Sequence, residues 1–266
     1  MIRFLAIACL FLLDLAQAGP SGTLLRGPYL NMANHNSIVV RWRSSASVAG
    51  RVRYGLSPDQ LIWSKDESNA GIDHVIRLEG LNSHTRYYYC VGSAGDSLTP
   101  ETAEITAFSP GAPMPTGSDY TFRTAPLPST AADTRIWILG DCGRGSQGQA
   151  NARETYYQFT GSRIPDLALQ LGDNAYESGT DEEYQTNYFN MYANFFRKMP
   201  QWCTLGNHDA DQDIDPLASH PYFDMFTFPT AGECGGVPSG TEHYYSFDHS
   251  NIHFICLDSQ ASDTHV

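Results

Sequence analysis

The chain has 266 residues and a net charge of −13, and 41% of its residues are hydrophobic. This length and composition exclude a largely disordered chain and favour two globular domains. The acidic balance argues against nucleic acid or an anionic membrane as the main partner. If the substrate is nonetheless an anion, the site needs a non-protein cation, which points to a metal.

Residues 1–18 predict a secretory signal peptide. Arg3 precedes the apolar stretch FLAIACLFLL, and AQA precedes Gly19, which is the charge, core and small-residue order of such signals. The apolar run is short for a membrane span. We therefore expect a secreted, extracellular protein, with the periplasm or a lysosome-like compartment as alternatives.

Five cysteines remain outside the signal: Cys90, Cys142, Cys203, Cys234 and Cys256. Exported proteins tend to pair their cysteines, so disulfides are expected here. An odd number cannot pair completely within one chain. Either one partner is missing or one thiol is free.

Residues 24–125 predict an all-β sandwich of the fibronectin type. The short strands, separated by turn signals, are SIVVRWR, GRVRYG, HVIRLEGL, TRYYYCVGS and DYTFRTAP, and this spacing is typical of a sandwich. Tyr87 occupies the place of a sandwich corner tyrosine. Nothing in the segment gathers acids, histidines or a glycine-rich loop, so we expect it to serve packing and spacing.

Residues 134–266 follow the linker TAPLPSTAADT and predict an α/β domain. The apolar runs RIWILG, DLALQLG and QWCTLG alternate with the helix-like stretches SQGQANARETYYQFTGS and DEEYQTNYFNMYANFF. The second stretch places Tyr184, Tyr188, Met191 and Phe195 on one helical face. Strands that alternate with helices indicate a largely parallel sheet, whose ligand site lies beyond the carboxyl ends of the strands.

Each of the three apolar runs ends in glycine and a hard metal ligand. The motifs are GDCG with Asp141, GDNAY with Asp173 and GNHD with Asn207, separated by 32 and 34 residues. Each spacing is about one strand-helix-strand unit, so adjacent strand ends can aim at one point. A single motif would be read as a turn or helix cap, but three in succession indicate a site. Such ligands suit Mn, Zn or iron, and a pair of ions clamps phosphoryl oxygens.

These motifs resemble the first three blocks of the purple acid phosphatases, within the calcineurin-like metallophosphoesterases. The resemblance is carried by Asp141, by Asp173 with Tyr176, and by Asn207 with His208. The leading sandwich is similar to the domain that precedes the catalytic domain in larger members. The resemblance implies a secreted acid phosphatase that hydrolyses phosphate monoesters with a dinuclear centre and a metal-bound hydroxide, in a two-sheet α/β sandwich.

The resemblance also implies the ligands. Asp141 and Tyr176 would bind ferric iron, Asp173 would bridge, and Asn207 would bind a second divalent ion, either Fe, Zn or Mn. Asn207 and His208 would contact the substrate phosphate, and His208 would assist the leaving group. The alternatives are that Tyr176 only packs and that His208 only orients other groups.

The later family blocks, Val-x-x-His and Gly-His-x-His, do not occur in this sequence. We therefore expect a truncated chain that covers the leading domain and the first half of the catalytic domain and lacks three imidazole ligands. The alternative functions are a phosphodiesterase or nucleotide pyrophosphatase of the same superfamily, and an inactive binding protein. The expected partners are small phosphate esters, without nucleic acid or membrane, and a homodimer is left open.

Overall fold

The computed structural model describes residues 22–99, 119–209 and 220–260, so the signal predicted at residues 1–18 lies outside the described residues. The elements are β1 (Leu24–Asn31), β2 (Ile38–Gly55), β3 (Trp63–Leu78), β4 (Arg86–Ser93), β5 (Thr121–Arg123), β6 (Ile136–Leu139), α1 (Gln147–Thr160), β7 (Leu167–Gln170), α2 (Asp181–Glu183), a π-helical segment (Tyr184–Phe189), α3 (Asn190–Phe196), β8 (Gln201–Cys203), α4 (Pro221–Met225), β9 (Tyr245–His249) and β10 (Ile252–Cys256). A search of the described helices finds none with the length and apolarity to cross a membrane.

The first five strands form one antiparallel sheet centred on β2. Two strands of the prediction, SIVVRWR and GRVRYG, are the two halves of this one long strand. The pairing register with β3 shifts between Arg43 and Val48, and such an irregularity lets a long strand bend. The first half of β2 can then pair with β1 and the second half with β4. The fibronectin-like β region is confirmed; its described residues form five strands, as predicted, but two predicted strands are one and β1 was not predicted.

The core of this sheet is aromatic and aliphatic. Trp42, Tyr89 and Phe122 are each about 1% exposed, and Tyr87 stacks on Phe122 with ring centroids 5.4 Å apart. The Tyr87 hydroxyl accepts a hydrogen bond from the Asn82 N–H at 2.8 Å. Tyr87 therefore ties a loop to the sheet, as its predicted corner position requires.

The second region contains the three expected parallel strands in the order β6-β7-β8. α1 joins β6 to β7 and is capped at its start by Ser146, whose side chain accepts a hydrogen bond from the Gln149 N–H. A hairpin of β9 and β10 follows and packs through Phe247, whose ring stacks on Trp202 of β8 at 3.6 Å. The α/β class is confirmed, and its parallel strands bring three carboxyl ends to one edge.

Residues 181–196 form one helical segment with the predicted buried face. Tyr184 and Tyr188 are fully buried and Phe195 is 4% exposed, while Met191 packs partly buried against the same core. The segment begins with a capping box in which Thr180 and Glu183 exchange hydrogen bonds. This box fixes the point where the preceding loop enters the helix.

The two regions share packing. Tyr29, Met32 and Val39 of the first sheet belong to the hydrophobic core of the second region, and the Tyr29 hydroxyl donates to the Met225 carbonyl at 2.6 Å. Arg26, which is 2% exposed, forms an ion pair with Asp181 at 3.0 Å. The first sheet is therefore a structural support for the second region.

The expectation that cysteines pair is wrong for the described residues. Cys90, Cys142, Cys203, Cys234 and Cys256 are all buried, and no disulfide joins them. Burial raises the pKa of the Cys142 and Cys234 thiols to about 12. These side chains therefore act as small core residues rather than reactive thiols.

Candidate metal centre

Three loops meet at the carboxyl edge of the parallel sheet. Each loop directly follows one of the strands β6, β7 and β8 and contains one of the predicted motifs. The Asp141 N–H donates to the Gly172 carbonyl at 3.2 Å, so the pairing of β6 and β7 continues into the motifs. The order of elements thus places Asp141, Asp173 and Asn207 at one edge, as parallel strands require.

Two glycines allow these loops to pack backbone against backbone. A Cβ atom on Gly206 would lie 2.1 Å from the Asp173 nitrogen, and one on Gly143 would lie 1.9 Å from the Asn174 oxygen. Both distances are far inside van der Waals contact, and backbone atoms cannot move aside. Glycine at these positions is therefore a condition for bringing the three motifs together.

The phenol of Tyr176 joins the two predicted aspartates. Its oxygen lies 2.6 Å from Asp141 Oδ1 and 2.6 Å from Asp173 Oδ2. The hydroxyl has one proton and can donate it to only one carboxylate at a time, so one of the two short oxygen–oxygen contacts has no hydrogen between its atoms. Burial, followed by the hydrogen bonds to Asp141 and Asp173, raises the pKa of Tyr176 above its usual value. A cation at this point would relieve the crowding and favour the phenolate.

Asp141 and Asp173 both have left-handed backbone conformations. Their φ angles are 53° and 54°, a region that costs a non-glycine residue about 1–3 kcal/mol. Strain of this kind tends to persist at functional sites. Here it turns both carboxylates toward the Tyr176 phenol directly after the strands end.

The third motif lies beside the other two but contributes differently. The His208 N–H donates to Asp173 Oδ1 at 3.1 Å, and its ring lies 4.4 Å from the Tyr176 ring between centroids. His208 Nδ1 is 2.6 Å from the Glu177 carbonyl. Asn207 is exposed, and among the described residues its side chain forms no hydrogen bond with Asp141, Asp173 or Tyr176. The structure therefore brings Asp141, Asp173, Tyr176 and His208 together directly and Asn207 only by its loop.

Asp209 is the hub of the site, a role that the sequence analysis did not assign. It is fully buried, and Oδ1 accepts from the Asn174 N–H at 2.8 Å, the Ala175 N–H at 3.2 Å and the Tyr184 hydroxyl at 2.6 Å. Oδ2 accepts from the Gly206 N–H at 2.8 Å and from Asn174 Nδ2 at 3.0 Å. Burial raises its pKa to about 6, although these hydrogen bonds oppose the increase. Asp209 thus fixes the second motif to the third.

Glu183 performs a similar task for the loop after Tyr176. Its carboxylate accepts from the backbone N–H groups of Glu177 at 2.5 Å, Ser178 at 3.1 Å and Thr180 at 3.0 Å. Burial raises the pKa of Glu183, but these hydrogen bonds outweigh burial and hold it below its usual value. The only signal for this role in the sequence is the Thr-x-x-Glu capping pattern.

Arg144 adds a positive charge beside the candidate centre. Its guanidinium lies 4.4 Å from the centroid of the Tyr176 ring and 3.9 Å from a Glu177 carboxylate oxygen. This is a cation–π distance. Arg144 directly follows the GDCG motif, and no sequence pattern marked it in advance.

The donor set fits one metal ion in part. Two carboxylates and a phenol are hard oxygen donors that suit ferric iron. Among residues 22–99, 119–209 and 220–260, no group of three or more His, Cys, Asp or Glu side chains is arranged to hold a metal ion.

The first region contains a serine-histidine-glutamate arrangement that is structural. Ser44 Oγ lies 2.8 Å from His74 Nε2, and His74 Nδ1 lies 2.7 Å from Glu67 Oε2. Ser44 and His74 are fully buried, so a substrate cannot reach the hydroxyl. This triad therefore offers no nucleophile and joins β2 to β3.

Family models match most of the chain in two parts. Residues 26–124 match the model "Purple acid Phosphatase, N-terminal domain", and residues 134–263 match "Calcineurin-like phosphoesterase". The second match contains all three motifs of the candidate centre. The first contains the strands of the N-terminal sheet.

Two curated relatives come from Arabidopsis thaliana. Purple acid phosphatase 23 is 27% identical over 213 residues, covering 71% of this chain and 41% of the relative. Purple acid phosphatase 15 is 28% identical over 211 residues, covering 71% of this chain and 35% of the relative. The chain thus spans well under half the length of these relatives.

Two solved structures share the fold. The purple acid phosphatase PPD1 from yellow lupin (Lupinus luteus) seeds aligns with a TM-score of 0.62 and 16% identity, covering 92% of this chain and 47% of that one. The structure of PhoD aligns with a TM-score of 0.58 and 14% identity, covering 90% and 52%. At these identities, the likeness extends to the fold alone.

Proposed function

Because the chain belongs to the purple acid phosphatases, within the calcineurin-like phosphoesterases, we propose that it serves the hydrolysis of phosphate monoesters at a dinuclear metal centre. The observation that carries this proposal is the position of the Tyr176 phenol oxygen, 2.6 Å from a carboxylate oxygen of both Asp141 and Asp173. The phenol oxygen and the two carboxylate oxygens form one set of hard oxygen donors at the sheet edge. This set is well suited to bind iron.

Asp141, Tyr176 and Asp173 would hold ferric iron, and Asp173 would also be a ligand of the second ion, which would be divalent Fe, Zn or Mn. Asn207 is the ligand that this chain offers to the second ion. When bound, such ions neutralise charge on phosphoryl oxygens and lower the pKa of water. The acidic net charge of the chain then does not oppose an anionic substrate.

In this proposal His208 moves a proton. A carbonyl can only accept, so the 2.6 Å contact with the Glu177 carbonyl puts the Nδ1 proton on that side of the ring. Nε2 is then the atom that can hold a proton for a leaving alcohol. His208 and Asn207 lie on one loop and would contact the substrate phosphate.

We also propose that the protein is secreted, from the signal pattern at residues 1–18, and that its substrates are small phosphate esters. N-terminal sequencing of the protein from culture medium tests the first statement. An N-terminus near Gly19 is expected, whereas retention of Met1 in a protein found inside cells would contradict it. The division into units at residues 24–125 and 134–266 is part of the same proposal.

The function is tested by assaying protein expressed from the complete coding sequence on p-nitrophenyl phosphate and on bis(p-nitrophenyl) phosphate. We expect the monoester to be preferred at acid pH. Preference for the diester would instead identify a phosphodiesterase or nucleotide pyrophosphatase. Hydrolysis of neither ester, with no bound metal, would favour a binding protein.

A second measurement separates metal binding from turnover. Iron-loaded protein should absorb visible light through the phenolate of Tyr176, and Tyr176→Phe should lose that band. Because phenylalanine preserves the ring and its packing, the far-UV circular dichroism should be unchanged. An unchanged visible spectrum in the variant would remove Tyr176 from the iron.

A further inference from the structure

A basic cleft lies between the first sheet and the second region. Its volume is about 490 Å³, and its cationic lining residues are Arg86, Arg123, Arg135, Arg163 and Lys198. The chain has 16 lysine and arginine residues, so nearly a third of them line this one cleft of an acidic protein. Like charges gathered in one cleft repel each other unless an anion neutralises them.

The cleft is at the opposite edge of the parallel sheet from the candidate metal centre. Arg135 directly precedes β6 and Asp166 directly precedes β7, whereas Asp141 and Asp173 follow those strands. A four-residue strand spans about 13 Å. A small ligand in the cleft therefore does not touch the metal centre, and the two sites are separate.

Two of the arginines repel each other across a strand pair. Arg86 of β4 and Arg123 of β5 are directly paired residues, and like charges in such positions are destabilising. Arg123 Nη1 lies 3.2 Å from His84 Nε2. Since a guanidinium only donates, His84 accepts here and supplies no negative charge.

Carboxylates neutralise little of this charge within the described lining. Asp166 is the one carboxylate among the lining residues, and its Oδ2 accepts from the backbone N–H of Arg135 at 2.8 Å. The Arg135 guanidinium donates instead to the Arg163 carbonyl at 3.3 Å. Lys198 is paired with Asp119 at 2.6 Å. Among the described lining residues, four arginines therefore share the cleft with one carboxylate, that of Asp166. This carboxylate accepts its hydrogen bond from a backbone N–H and not from a guanidinium group.

We propose that this cleft binds a small anion carrying two or more phosphate or sulfate groups. Planar guanidinium groups donate paired hydrogen bonds to such oxyanions, and the volume is that of a small-molecule site. The hydroxyl of Ser162 lines the same cleft and can donate a further hydrogen bond. Because Arg86 and Arg123 belong to the first sheet and Arg135 and Arg163 to the second region, the anion would link the two.

The test uses the chain after treatment with EDTA, so that no metal ion takes part. Pyrophosphate, tripolyphosphate, orthophosphate and sulfate are titrated at constant ionic strength, adjusted with NaCl, and followed by calorimetry and by the melting temperature. We expect one saturable site that binds tripolyphosphate and pyrophosphate more tightly than orthophosphate or sulfate. Equal, unsaturable effects of all four anions and of NaCl would overturn the proposal.

Variants locate the site. Arg86 and Arg163 have exposed side chains, and changing both to glutamine should weaken pyrophosphate binding by about tenfold or more. Lys65→Gln is the matched control, because Lys65 is also exposed on the first sheet but lies outside the cleft. Asp173→Asn, at the metal centre, should bind pyrophosphate as the unaltered chain does. A loss of pyrophosphate binding in Lys65→Gln or Asp173→Asn that is as large as the loss in the double variant would contradict the assignment.

A stability measurement distinguishes a ligand site from a structural cluster. Without added anion and at low salt, Arg86→Gln should raise the melting temperature, because it removes repulsion with Arg123. Saturating pyrophosphate should raise the melting temperature of the unaltered chain more than that of the variant. A fall in the melting temperature of anion-free Arg86→Gln would show that the cluster is already neutralised and would refute the proposal.

Discussion

The sharpest test of the candidate centre is Asp209→Asn. The Asp209 carboxylate accepts five hydrogen bonds, three at Oδ1 and two at Oδ2, and every partner is a donor. Asparagine keeps the shape but replaces one oxygen with an NH₂ group. The smaller loss occurs if the NH₂ group takes the place of Oδ2, which accepts two hydrogen bonds, and not of Oδ1, which accepts three. The Gly206 N–H and Asn174 Nδ2 then have no acceptor, so two buried donors are left without a partner.

The size of the effect follows from that count. A buried donor left without a partner costs about 1–3 kcal/mol, so two donors cost about 2–6 kcal/mol. Natural domains have a free energy of unfolding of about 5–15 kcal/mol. For a chain of this size, the melting temperature should fall by roughly 5–20 °C. Iron binding should weaken as well, because Asp209 holds the second motif against the third.

The assay is urea unfolding followed by tryptophan fluorescence, with melting temperature as a second readout. Tyr184→Phe is the control, because it removes one donor from the same carboxylate and leaves the others in place. That control should lose about 1.5–3 kcal/mol, because its hydrogen bond is to a charged group. If Asp209→Asn loses no more than Tyr184→Phe, the network around Asp209 does not hold the loops together.

Three further predictions concern single carboxylates. Asp173→Asn should bind iron at least about tenfold more weakly while its melting temperature changes little; equal iron content by mass spectrometry would remove Asp173 from the metal. Glu183→Gln should lower the free energy of unfolding by about 1–3 kcal/mol and make the loop after Tyr176 more open to proteolysis; an unchanged cleavage rate would show that the loop is held by other contacts. Burial raises the pKa of Glu67, but hydrogen bonds from His74 and the Val75 N–H outweigh burial, so the pKa is below its usual value. The ionised Glu67 side chain therefore stabilises the fold at pH values above its pKa in the unfolded chain. This stabilisation is lost as the pH falls through its pKa in the folded chain. Glu67→Gln should therefore destabilise the chain at pH 7 and have little effect near pH 3 in urea titrations; an equal loss at both pH values would refute the assignment.

The sequence predicted the features that depend on the local residue pattern and on the order of the elements along the chain. The apolar runs ending in Asp141, Asp173 and Asn207 are three successive parallel strands, because alternation of strands and helices has few solutions. The face with Tyr184 and Tyr188 is buried because helical periodicity forces those residues to one side. Both features require no knowledge of distant residues.

The missed features depend on tertiary contacts. The sequence pattern does not identify Asp209 as a hub, because its five hydrogen bonds form only when the loops pack together. Glu183 and Arg144 act on a loop that approaches them in space, and the bend in β2 depends on the neighbours of that strand. Cysteine pairing was expected from the compartment, but geometry decides it, since thiols must meet to form a bond.

Tyr29, Met32 and Val39 are part of the same hydrophobic cluster as Phe189 and Phe226. A chain cut in the linker would therefore leave an aromatic surface of the phosphoesterase portion open to water and to other copies of itself. The two portions should melt in a single cooperative transition. Replacing either portion with an unrelated module would therefore require that shared cluster to be rebuilt.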